Sequence, residues 1–462
     1  MTAIPLGVSN YVRQLGRSVP ILMQNLYTER DPANLVDGLV RLQRPALSLF
    51  TTLDAGRIAG IFQQPGTFNG DYLINTGGTV YRVTSGAVAT PLGTVGTDAR
   101  CIVAASKTRA IFATGSVPYS TDGVIMSVIA MPDGVNVTSV EYINNYFILT
   151  IEGSQRYYWI APDGADPDAL NFSSAEHSPD DISVVKRLGD ELWFFGEGRS
   201  TEVHIPTGDS NLPFKRVGGR LYDVGCANRH TVTSTDNSLI WVGTDNKVYR
   251  ADASPKRISD HSVEEALRRN NDNSNLSAWS FAIDGHTFYV LTIGDIGTFV
   301  YDVENPQAWY HWSTYTRETW RAWIGTSGNA APVLCGDDTN GKVYLLDPTL
   351  NQDNGVQMVR QIVGGVQVIG KPVRCDSVVV YGSTGWVESA TAEPSLEINW
   401  SDDQGASVEG PWMQMSMGGQ GDRQIEMSAR QLGVINPPGR VFYFKCTEDV
   451  NLRLSFARLN EI

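Results

Sequence analysis

The chain has 462 residues, 42% hydrophobic and 10% aromatic, with only 19% charged and 45 glycines, a balance that favours many short strands and tight turns over long charged helices. Its formal charge of −14 disfavours a groove that wraps duplex DNA through lysine and arginine. Five cysteines (Cys101, Cys226, Cys335, Cys375 and Cys446) are odd in number, far apart and without a CxxC pair, which argues against a disulfide framework or a zinc knuckle and suits a reducing cytoplasm.

Taken in order, the chain opens without the basic-then-apolar pattern of a secretory leader, and no stretch approaches the length of a membrane span. A soluble, unsecreted protein with no stable membrane insertion is expected. The apolar run Ile21-Leu22-Met23-Gln24-Asn25-Leu26-Tyr27, ended by Thr28-Glu29-Arg30-Asp31-Pro32, predicts an ordered arm. Residues 1–55 are therefore assigned to an N-terminal arm serving as an interface or platform.

From about residue 56 the sequence is periodic. Similar strands pass through Leu73, Ile111, Phe147, Leu192, Ile240, Tyr289 and Leu334, with a mean spacing of roughly 43 to 44 residues, within the range of a four-stranded propeller blade. Several units close alike, as in Gly78-Thr79-Val80-Tyr81-Arg82-Val83, Asn246-Lys247-Val248-Tyr249-Arg250 and Gly341-Lys342-Val343-Tyr344. A single such sheet would leave an apolar face in water, so about seven of them set around an axis would bury one another. The fold class read here is all-β: a β-propeller over 56–350 and a further sandwich-like β domain. A stack of β-sandwiches satisfies the same alternation and is the alternative.

Within this region, residues 163–181 form an acidic loop containing Asp163, Asp166, Asp168, Glu176, Asp180 and Asp181, whose order does not fit an EF-hand; a solvated loop is expected. Glu191 to Phe195, a turn at Gly196, Gly198 and Arg199, and Thr201 to Ile205 predict a hairpin. In its second strand Thr201, Val203 and Ile205 share one face, with Glu202 and His204 on a wetted one. Ser262-Val263-Glu264-Glu265 reads as a capping box for one short helix running into Ala266-Leu267-Arg268-Arg269 and packing outside a blade.

Beyond about residue 350 the period changes. Val356 to Val368, Asp376 to Tyr381, Ser395 to Trp400 and Val441 to Phe456 predict a separate domain over 351–462, built with a possible contribution from the arm. The stretch Trp412-Met413-Gln414-Met415-Ser416-Met417-Gly418-Gly419 reads as a loop packed on that domain, with an adaptable contact surface as the other reading.

No catalytic, cofactor-binding or metal-ligating residue is assigned. The six histidines never take HxxxH or HExxH spacing, and there is no GxSxG elbow, P-loop or dinucleotide-binding glycine pattern. Ser401-Asp402-Asp403-Gln404-Gly405-Ala406-Ser407 resembles the Asp box of carbohydrate-active propellers, which is a turn-stabilising element; Val408 replaces the usual aromatic.

Phe194-Phe195-Gly196-Glu197-Gly198-Arg199-Ser200-Thr201-Glu202-Val203, Pro213-Phe214-Lys215-Arg216-Val217-Gly218-Gly219 and Val224-Gly225-Cys226-Ala227 resemble the packaged-DNA stabilisation proteins of short-tailed phages, also called tail nozzle or tail hub proteins. Asp236-Asn237-Ser238-Leu239-Ile240-Trp241-Val242-Gly243 and Gly285-His286-Thr287-Phe288-Tyr289-Val290-Leu291 extend the likeness. The resemblance implies a virion protein assembled in the host cytoplasm as a homohexameric ring. Its partners would be a head-to-tail adaptor, tail fibres or tailspikes, and double-stranded DNA passing through without sequence-specific binding. It implies no enzyme activity, no catalytic residues and no cofactor. A carbohydrate-binding or carbohydrate-cleaving propeller is the rival reading, motivated by the Asp-box-like turn and the tryptophans; Trp193 and Trp241 at strand positions read as core.

Overall fold

Pairs of residues in the left-handed region set the hairpins of the repeat. Gly77-Gly78, Asn144-Asn145, Asp236-Asn237 and Asp284-Gly285 all have positive φ, the turn geometry whose twist matches that of the strands it joins. The computed structural model describes residues 2–11, 21–54, 56–162, 164–306, 308–326, 332–368, 370–385, 393–423 and 425–460.

Among the described residues these hairpins build seven four-stranded antiparallel blades. Blades 1 to 5 span 58–94, 102–128, 137–174, 182–222 and 233–257, and blade 6 spans 276–312. Blade 7 takes Ala322–Gly325, Leu334–Asp337 and Lys342–Asp347 from one end of the repeat, and its outermost strand, Ala46–Thr52, from before it. The innermost strands meet in chain order around one axis, and Ala322–Gly325 of blade 7 returns against Ile58–Phe62 of blade 1. The pairing therefore starts the ring at Ala46, ahead of the onset of the visible repeat at residue 56.

Every blade is covered on two faces, which changes the reading of the hairpin in blade 4. Its second strand, Thr201–Pro206, buries Thr201, Glu202, Val203 and His204 alike. Val203 packs toward blade 5 with Trp193, Phe195 and Trp241. On the other face His204 lies edge-on to Tyr157 of blade 3 and to Phe194, with centroids 6.0 and 4.8 Å away. The face expected to be wetted is buried because blade 3, the preceding blade, covers it.

The arm and the C-terminal segment together form two packed sheets. One orders Leu26–Arg30, Leu39–Gln43, Arg453–Leu459, Ser377–Gly382 and Met427–Arg430, with Thr2–Ile4 also on Arg453–Leu459. The other orders Met23–Gln24, Arg360–Gln367, Gly439–Cys446, Ser395–Ser401 and Glu409–Ser416. The second sheet continues into blade 6, since Gln24 pairs in parallel with His311 on the blade's outer strand Trp309–Trp312. One buried apolar cluster accordingly joins Ile4, Leu26, Ile398 and Phe444 of the platform to Trp279 and Trp312 of blade 6 and Trp320 and Tyr344 near blade 7. The propeller and the sandwich share a core.

Two local expectations are corrected. The helix is His261–Arg269, and its N-cap is Asp260, whose carboxylate accepts from the Val263 N–H at 2.9 Å; Ser262 lies buried inside the first turn. The capping box does not form at Ser262: Glu265, its reciprocal acid, pairs with Arg268 at 2.9 Å, and Glu264 is held by the Ser259 hydroxyl at 2.8 Å and Arg257 at 2.6 Å. The helix packs Val263, Ala266 and Leu267 into the apolar wedge between blades 5 and 6, against Ile240, Val242, Tyr289 and Leu291. It fills an inter-blade gap rather than riding outside one sheet. The methionine run is mostly strand, Glu409–Ser416, and Met415 and Met417 are buried in the shared core.

Candidate functional site

Among the described residues three arginines, Arg41, Arg44 and Arg360, are fully buried where the arm meets the C-terminal segment, and Arg44 also reaches the propeller side through Ser313 and Trp320. A buried guanidinium is costly to the extent that its charge and hydrogen-bonding capacity are left unmet. Arg44, two residues before the closing strand of blade 7, donates to Asp353 through both prongs at 3.0 and 2.6 Å, and to Asn25, Pro45 and Ser313 oxygens at 2.9 Å each. Its guanidinium lies 5.0 Å from the Trp320 ring centroid. Asp353 also accepts from the Leu47 N–H at 3.2 Å, so the carboxylate pins the closing strand itself.

The other two complete the junction. Arg41 pairs with Asp37 at 2.7 Å and donates to the Leu6, Gly7 and Ser455 carbonyls. Arg360 donates to Gln43 Oε1 at 2.6 Å and to the carbonyls of Val450 and Glu448. None of the three was singled out by sequence pattern. The available signal was a lone charge inside an apolar strand, as in Val40-Arg41-Leu42 and Arg360-Gln361-Ile362-Val363.

The motif residues of blade 4 form a second locked unit. The Asp180 carboxylate accepts from the N–H groups of Gly198, Arg199 and Ser200 at 2.6, 3.0 and 3.0 Å and from the Ser200 hydroxyl at 2.7 Å. Thr201 Oγ1 donates to the Val224 carbonyl and Cys226 N–H to the Gly196 carbonyl, at 2.6 and 2.8 Å. Gly225 fits because it has no side chain: a Cβ there would stand 2.3 Å from the Gly198 oxygen. Thr244 of blade 5 donates to that same Gly198 oxygen at 2.6 Å. The motif ties the turn of one blade to the next.

The remaining sequence candidates occupy separate places. Asp166 accepts from Ala130 N–H and Asp168 from Leu170 N–H, at 3.0 and 2.8 Å, while Asp180 belongs to the clamp; Asp163 lies outside the described residues. No group of three or more histidine, cysteine or carboxylate side chains that could hold a metal is found among the described residues. The five cysteines are free and buried, and burial raises the pKa of each thiol. In the Asp-box-like turn, Asp403 accepts from Ser401 Oγ, Ser407 N–H and Ser407 Oγ at 2.5, 2.9 and 2.6 Å, which holds its carboxyl below the usual range. Asp402 meets Arg440 at 2.6 and 2.7 Å. These acids brace the hairpin between Ser395–Ser401 and Glu409–Ser416. Among the described residues no helix is long and apolar enough to cross a membrane.

The family model described as "Bacteriophage P22 Gp10, beta-propeller" matches residues 7–351. The chain belongs to this family. It is thus a phage stabilisation protein of the tail nozzle kind, and the match takes in the arm from residue 7, all seven blades and Asp180's clamp. Similar solved structures include virginiamycin B lyase from Staphylococcus aureus, at 13% identity and TM-score 0.44 over 66% of this chain and 98% of that one. A streptogramin B lyase gives 14% and 0.46 over 65% and 98%. The WD40 domain of Neurospora crassa Pan2 gives 10% and 0.42 over 66% and 97%. Likenesses of this degree carry no argument about activity. A comparison with curated proteins finds no match.

Proposed function

We propose that the chain is one subunit of a homohexameric nozzle ring that closes the portal–adaptor channel of a short phage tail, retains packaged DNA and conducts it during ejection. The family match over residues 7–351 carries this reading. Two physical features support it. The shared core and its buried arginines make each subunit a stiff block, as a part under the pressure of packed DNA requires. The net charge of −14 would repel DNA phosphates from a lumen and prevent the ion pairs that slow passage. The ring would meet the head-to-tail adaptor above and carry fibres or tailspikes around it. The carbohydrate reading gains no support: no tryptophan is exposed among the described residues, and the Asp-box-like turn is braced by its own hairpin.

Electron microscopy of virions tests the reading. Density for this chain should form a sixfold ring below the portal around an acidic channel. Another symmetry, a position off the tail axis, or a basic lumen would overturn it.

A further inference from the structure

A cavity of about 150 Å³ sits among the innermost strands, lined from blades 1, 2, 4, 5, 6 and 7. In a chain of net charge −14 its titratable lining is three cations, Arg100, Lys186 and Arg229, with His230 and Cys101, and no aspartate or glutamate among the described residues. Arg100 donates to neutral acceptors, Ser277 Oγ and the Ala278 carbonyl, and reaches no carboxylate among the described residues. The nearest carboxylate to Lys186 is that of Glu141, at a loose 3.8 Å. Burial pushes Arg100 down to about 10, and burial followed by repulsion from Arg100, Arg229 and Lys186 holds His230 well below its ordinary value. Glu152 and Glu197 offset Arg229 from outside the lining, which leaves Arg100 as the buried charge without a carboxylate, a costly arrangement inside a protein.

A second observation points to an occupant. Ser280 Oγ and Thr233 Oγ1 line the same cavity, are 0% and 8% exposed as residues, and have no hydrogen-bond partner. Buried hydroxyls are almost always satisfied. Two orphaned hydroxyls beside Arg100, which no carboxylate pairs among the described residues, are the complement of an oxygen-rich anion.

We propose that the axial cavity binds one inorganic tetrahedral oxyanion, held by Arg100 and Lys186 and hydrogen-bonded by His230, Ser280 and Thr233. The space, equal to about five waters of liquid volume, suits a single such ion. Because the anion would bind the folded ring alone, it would stabilise the propeller in proportion to its concentration. The site needs no hexamer, so its failure and that of the nozzle reading are separable.

Calorimetric titration and thermal unfolding of the full chain with inorganic phosphate, against chloride at matched ionic strength, test this. A Kd on the order of 1 mM or tighter is expected, with a matching rise in Tm. Lys186→Met should weaken binding about tenfold or more and Ser280→Ala about threefold, the charged contact being the stronger. Lys215→Met, at an exposed position on the outer strand of blade 4, should leave it unchanged. Absence of phosphate-specific binding, or equal binding by Lys186→Met and the parent chain, overturns the proposal. So does binding of a short DNA duplex in preference to inorganic phosphate. Ser280→Ala keeps the test decisive if Lys186→Met fails to fold.

Discussion

Arg44 and Asp353 meet through two hydrogen bonds of 3.0 and 2.6 Å while both side chains are almost wholly shut off from solvent, 0% and 1% exposed. The arginine precedes the strand that closes the ring, and the aspartate follows the last strand of the repeat. One ion pair therefore fastens the two ends of the propeller where they enter the platform.

Removing one member of such a pair strands the other charge. Arg44→Met should cost about 3–5 kcal/mol in urea unfolding, whereas Arg44→Met combined with Asp353→Leu should regain much of that loss. Equal instability of single and double variants would show that the pair is not coupled.

The closing strand itself can be tested in place. Leu47 is 0% exposed within the shared core, so Leu47→Asp forces a carboxylate into an apolar site. Hydrogen exchange should accelerate across 342–347, the partner of that strand, while 137–151 of blade 3 stays protected.

Glycines in the blade 4 region separate space from chain flexibility. Gly225→Ala would place its Cβ 2.3 Å from the Gly198 oxygen and 2.7 Å from the Gly196 oxygen. A cost of about 3 kcal/mol or more is expected, because both obstacles are backbone. Gly218→Ala meets nothing within 4 Å and should change stability by less than about 0.5 kcal/mol. Chemical denaturation of the two variants makes the comparison.

His286 supplies a pH signature. Burial works to lower its pKa, but the hydrogen bond and charge of Asp302, 2.9 Å away, outweigh burial and raise it above 6.5. A raised folded-state pKa gives stability that is fully present below about 6.5 and lost as pH climbs through the folded value. The gap in unfolding free energy between the parent chain and His286→Gln should therefore be widest under mildly acidic conditions and narrow toward alkaline pH. A gap that widens with pH would contradict the assignment.

The sequence carried the blades because turn residues and period-2 apolar runs are local signals. Gly77-Gly78 and Asp284-Gly285 mark hairpins whatever surrounds them. Ala46–Thr52 gave no hint of its place, since its partner lies nearly three hundred residues later and strand pairing over that distance leaves no local trace. Glu202 and His204 looked solvent-facing because alternation reports polarity, and only the neighbouring blade reveals that both are buried. Met413, Met415 and Met417 did show strand alternation, but neighbouring glycines read as a loop. The helix start was read at Ser262, but Asp260 caps it two residues earlier, because its carboxylate reaches the Val263 N–H. The buried arginines escaped notice because burial of charge depends on partners drawn from distant parts of the chain.

The ring's closure also imposes a waiting time. Residues 46–52 are made first, yet their partner, 342–347, follows after six complete blades. At about 5–20 residues per second, that interval is roughly 15–60 s of synthesis. Throughout it the segment is an apolar strand without a sheet, and the growing propeller has an uncovered flank. The last stretch of translation before residue 347 is therefore the step at which a nascent arc becomes a closed wheel, and the interval before it is when chains on adjacent ribosomes of one message would most readily exchange that first strand.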